Sequence, residues 1–185
     1  MNYKVLKLIL IFGISCILVA SLLAGCKKDE GQVEETGQMS VQMTDAPGDY
    51  AKVNVDIQSV WVHYASTDAW VEVKCKSGLY NLLDFQNEVS VLITDTVTLK
   101  TGRINQIRLV LGSNNSIVLN DSSTYPLTIP SGEQSGIKIN VDADVLANVH
   151  TQLLIDFDAA LSVHLTGNGQ YMLQPVIKLK RITNT

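Results

Sequence analysis

Carboxylates in pairs are the first residues of this sequence with chemistry to offer. Asp45 and Asp49 share one turn, Asp142 and Asp144 stand two apart, and so do Asp156 and Asp158. Residues two apart on a strand project to one face, so each pair offers hard oxygen ligands of the kind that Ca²⁺ takes. The competing assignment makes Asp45 the cap of its own turn and leaves the other pairs facing solvent. Beyond Ca²⁺ no cofactor is suggested. The histidines His63, His150 and His164 fall at no metal-ligand spacing, and no Cys/His cluster accompanies them. No G-x-S-x-G elbow serves a nucleophilic serine. Gly112-Ser113-Asn114-Asn115 and Gly167-Asn168-Gly169 read as hairpin turns and not as phosphate loops, because neither opens a helix. The expectation is a protein that is not an enzyme.

Aromatic side chains are the second source of chemistry. Trp61 and Trp70 are candidates for stacking on the faces of sugars, which suit amphipathic rings. Trp61 faces outward beside His63 if Val60 and Val62 point inward. It belongs to the core if the earlier alternation of Val53, Val55 and Ile57 persists. Trp70 follows a turn closely and is placed to cover one end of the domain.

The third source is a thiol. Residues 8–24 form a 17-residue apolar run behind Lys4 and Lys7, and the run ends in Leu23-Ala24-Gly25-Cys26. This is the layout of a secretory leader, and the small residues before Cys26 resemble a bacterial lipobox. A run of that length stands at the short limit for spanning ~30 Å of hydrocarbon. Cleavage before Cys26 would let its thiol carry a diacylglyceryl group. With two or three acyl chains, at ~0.8 kcal/mol per buried methylene, attachment is effectively permanent. Lys27, Lys28, Asp29 and Glu30 follow directly, and this order resembles the surface-export signal of Bacteroidetes lipoproteins. Cys16 leaves with the leader, so Cys75 has no partner for an internal disulfide.

The elements that must position these residues are strands. The leader is residues 1–25. The lipidated Cys and a charged tether, spanning about 18–20 Å as a coil, are residues 26–37. One domain fills residues 38–185. Without Lys4 and Lys7 the chain has 12 Lys and Arg against 18 Asp and Glu. No basic cluster survives away from the anchor, which disfavours nucleic acid as a partner. Ile107, Leu109 and Leu111 alternate with Arg108 and Val110, Ile137, Ile139 and Val141 with Lys138 and Asn140, and Leu153, Ile155 and Phe157 with Leu154, Asp156 and Asp158. The change of phase between Ile57 and Val60 calls for a bulge near Ser59. Pro175 inside the last apolar run marks an edge or a bulged strand. The pattern predicts an all-β, antiparallel β-sandwich of the immunoglobulin/transthyretin kind with about nine to eleven strands.

An ordered series of short motifs adds to this. Thr44-Asp45-Ala46-Pro47 comes first, then Val53-x-Val55-x-Ile57, the isolated Trp70 and Leu82-Leu83-Asp84. Thr101-Gly102, Gln106-Ile107-Arg108-Leu109 and Pro130-Ser131-Gly132 follow, then Ser135-Gly136-Ile137-Lys138-Ile139, Asp156-Phe157-Asp158-Ala159 and Leu173-Gln174-Pro175-Val176-Ile177. The series resembles the bacterial lipoprotein family called domain of unknown function 4382 over residues 38–180. The resemblance implies a secreted, often lipid-anchored β-domain. It brings no established activity and no active-site residues.

The expected protein is therefore held by its N-terminal lipid at the bacterial cell envelope, at the outer membrane and exposed at the surface. It displays a non-catalytic β-sandwich that binds a glycan or an envelope protein. A structural or assembly role is the alternative, with the strand around Pro175 or the N-terminal strand pairing with a partner. An enzyme would need a cleft with converging titratable groups.

Overall fold

Alternation of apolar and polar residues produces strands almost throughout the part of the chain that the computed structural model describes, residues 34–130 and 135–185. The leader, Cys26, Lys27, Lys28, Asp29 and Glu30 lie outside the described residues. Fourteen strands are present among those described. The first seven are β1 (Thr36–Thr44), β2 (Lys52–Tyr64), β3 (Ala69–Val73), β4 (Gly78–Asn81), β5 (Val91–Leu92), β6 (Val97–Lys100) and β7 (Gly102–Leu111). The rest are β8 (Ser116–Val118), β9 (Thr124–Thr128), β10 (Ile137–Val145), β11 (His150–Phe157), β12 (Val163–Leu165), β13 (Tyr171–Leu173) and β14 (Ile177–Asn184). A 3₁₀ turn at Leu82–Phe85 and one helical turn, α1 (Ala159–Ser162), interrupt them.

The strands form two curled sheets around one apolar interior, so the all-β, sandwich-like class is confirmed. The first sheet runs β14-β11-β1, with β5 and β6 in succession along the other side of β1. The second runs β10-β7-β2-β8-β9-β13-β12, with β3 and β4 along the other side of β2. Three features correct the expectation. The sheets are mixed, because β1 pairs with β11, and β9 with β13, in parallel. The strands outnumber nine to eleven because pieces such as β5 and β8 are too short to show a period. The first strand begins at Thr36, so Thr36 and Gly37 belong to the sheet and not to the tether.

The N-terminal strand is also no edge. β1 is paired along both sides, and Met39, Val41 and Met43 are buried against Leu153, Ile155 and Phe157 of the neighbouring β11. Burying each such side chain fully is worth about 1.5–3 kcal/mol. Pro175 sits in the break between β13 and β14, which belong to different sheets. Proline lacks the N–H that a continuous ladder needs, so the run divides there.

Long β2 organises the second sheet. Val53, Val55 and Ile57 face the core, then the register against β7 slips between Ile57 and Ser59. Gln58 is the extra residue, and Val60, Val62 and Tyr64 become the inward set. The bulge expected near Ser59 is therefore present, and it turns Ser59, Trp61 and His63 outward.

Candidate functional site

Three ladders bring the outward side chains of the second sheet into rows. Trp70 of β3 stands opposite His63, and His63 opposite Gln106 of β7. Glu72 stands opposite Trp61, Trp61 opposite Arg108, and Arg108 opposite Lys138 of β10. Gln106 in turn faces Asn140 and donates to its Oδ1 over 3.0 Å. The two tryptophans thus lie diagonally on one face. Both are half-buried, so neither is a core residue. Trp70 does not cover an end of the sandwich, as its place after a turn suggested, but lies on the sheet.

Side-chain contacts hold this face in one arrangement. The Trp61 indole N–H donates to Ser59 Oγ at 3.0 Å. The Trp70 ring lies 4.7 Å from the His63 ring, and the Arg108 guanidinium stands 4.0 Å over it. His63, only 8 % exposed, is fixed by Asn105 Oδ1 at 2.6 Å and Asp68 Oδ1 at 3.0 Å. The Lys138 ammonium lies 5.9 Å from the Trp70 ring. A cation over an indole contributes ~0.5–1 kcal/mol when exposed and more when desolvated. The result is a broad surface that joins aromatic rings, cations and amides.

Most members of the acidic pairs have partners elsewhere in the fold. Asp49 accepts from Asn120 Nδ2 at 3.0 Å, and Asp142 pairs with Arg103 at 2.6 Å. Asp144 is exposed on β10. Asp158 lies beyond the end of β11, so strand geometry does not align it with Asp156. It caps α1 by accepting from Leu161 N at 2.9 Å. Asp156 is buried on the outer face of the first sheet, 3.4 Å from Lys178 Nζ. Asp45 caps α1 rather than its own turn, accepting from Ala159 N at 2.8 Å across 114 positions of sequence. Among the described residues no three His, Cys, Asp or Glu side chains are placed to hold a metal ion.

Other potential chemistry is similarly committed to the fold. Burial pushes the Cys75 thiol up to about 11, with Glu72 adding to the effect, so the group stays protonated at neutral pH. A groove of about 420 Å³ lies between the β7–β8 turn and β9, lined by Leu111, Ser113, Asn115, Pro126, Leu127 and Thr128 among others. Among the described residues no titratable side chain lines it. Arg108 and Lys138 are the site residues that sequence reasoning did not single out. Apart from their places in two of the family motifs, their signal was a position between apolar residues of two alternating strands, and nothing local in the chain shows that β7 and β10 are neighbours.

The family model of a domain of unknown function (DUF4382) matches residues 36–175, from the first residue of β1 to the break at Pro175. No curated protein and no solved structure matches the chain.

Proposed function

We propose that this chain, which belongs to the DUF4382 family, is a lipid-anchored bacterial envelope protein whose β-domain is a non-catalytic, saccharide-binding module. The observation that carries the binding role is the placement of Trp61 and Trp70 on one outward sheet face, half-exposed and locked by neighbours. Pre-set rings lose little entropy on binding and offer flat apolar area beside hydrogen-bonding groups. The anchor rests on Leu23-Ala24-Gly25-Cys26, and surface display on Lys27, Lys28, Asp29 and Glu30. Among the described residues no helix is long and apolar enough to cross a membrane; the attachment put forward is a lipid at Cys26.

Assembly by strand addition has less behind it. β1 is closed on both sides, and β14, an end strand of the first sheet, carries Lys178, Lys180 and Arg181. Charges of that kind guard an edge against pairing. The saccharide reading is tested by retention of the full chain, in detergent, on a panel of immobilised polysaccharides. Trp61→Ala and Trp70→Ala should each weaken retention about tenfold, the equivalent of ~1.4 kcal/mol. Wild-type retention by both variants would remove the face from the account.

A further inference from the structure

We infer that the tryptophan face takes an anionic saccharide, with the carboxylate of a uronic acid seated between Arg108 and Lys138; the inference rests on the saccharide-binding reading above. Arg108 and Lys138 are directly opposed in the β7–β10 ladder and project from the same face. Like charges in that relation destabilise a sheet. Neither cation has a carboxylate within ion-pair distance among the described residues, although the chain carries a formal charge of −4. Two adjacent cations, with Glu72 set apart from them by Trp61, are complementary to an anion seated between them.

Arg108 is also pre-positioned. Gly136 adopts φ +103, and a Cβ there would stand 2.7 Å from Arg108 Cγ. Glycine therefore makes room for the arginine stem and tolerates the backbone. The guanidinium rests on Trp70, and its buried Nε has no hydrogen-bond partner. The outer nitrogens of the fork are left to engage an oxyanion, the geometry in which arginine binds carboxylates best. Trp61, beside Arg108, offers a ring to the pyranose, while Gln106 and Asn140 offer amides to its hydroxyls. An acidic peptide would use the cations but not that combination of indole and amides.

The test compares binding of the full chain, in detergent, to polygalacturonate, to its fully methyl-esterified form and to polyglutamate. Polygalacturonate should bind at least about tenfold tighter than the ester, the scale of a lost charge-assisted hydrogen bond. Lys138→Gln, an exposed substitution that spares the core, should lower affinity for the acid about tenfold and narrow the gap between acid and ester. Lys180→Gln on β14 should change neither. Equal affinity for acid and ester overturns the anionic ligand while leaving the saccharide reading in place. Equal affinity for polyglutamate overturns the saccharide ligand, and binding to none of the three overturns both.

Discussion

Asp45 shows how a residue with apparent chemistry is absorbed into structure. Its carboxyl is 3 % exposed, and its pKa is raised from 3.8 to about 6. Burial is the main cause, and Asp158 and Asp156 add to it against the opposing hydrogen bonds from Ala159 and Gln86. The folded protein therefore holds this proton more tightly than the unfolded chain. The stability this group contributes is complete below about pH 4 and is lost as pH rises through about 6. Asp45→Asn keeps an acceptor for the Ala159 amide and has no charge to bury. Urea denaturation near pH 4 and near pH 7 should show the stability difference narrowed by on the order of 2 kcal/mol relative to wild type. An unchanged difference would show that Asp45 is not the group that titrates.

At the scale of elements, the interruption between β7 and β8 matters as much as the bulge in β2. The chain leaves the side of β2 at Leu111 and returns at Ser116, leaving Asp56 without strand partners there. Buried Asn115 fills the gap: its Oδ1 accepts from Asp56 N at 2.8 Å, and its Nδ2 donates to Gly112 O at 2.7 Å. Gly112 N donates to Asp56 O at 2.7 Å, and a Cβ on Gly112 would collide with the Asp56 carboxylate. Gly112→Ala should therefore cost about 2 kcal/mol, lowering Tm by roughly 2–4 °C per kcal/mol for a domain of this size. A thermal melt indistinguishable from wild type would contradict the close approach.

Much at this scale was legible in advance. The alternation in β2, β7, β10 and β11 marked the strands, and the phase change between Ile57 and Val60 located the bulge that exposes Trp61. Lateral order was not legible. β1 and β11 meet in parallel with Gln38 opposite His150, and nothing near either strand encodes that pairing. For the same reason Trp61 and Trp70 stood out as aromatics while Arg108 and Lys138 did not: their adjacency depends on the β7–β10 register. Spacing along a strand also says nothing about a strand's end, where Asp158 becomes a helix cap.

At the scale of the whole molecule, a binding face at an envelope gains from attachment that does not let go. One acyl chain binds a membrane reversibly, whereas two or three hold it. The account depends on that attachment being at Cys26, behind the segment that begins Lys27-Lys28-Asp29-Glu30. Protease shaving of intact cells should remove the domain, and Asp29→Ala with Glu30→Ala should protect it; shaving that leaves the unaltered domain intact would contradict surface display. The most direct measurement is mass spectrometry of the N-terminal peptide from the membrane fraction. The account predicts a peptide beginning at Cys26 and carrying a diacylglyceryl group with a further acyl chain. A peptide that retains residues 1–25, or an unmodified Cys26 thiol, would contradict it.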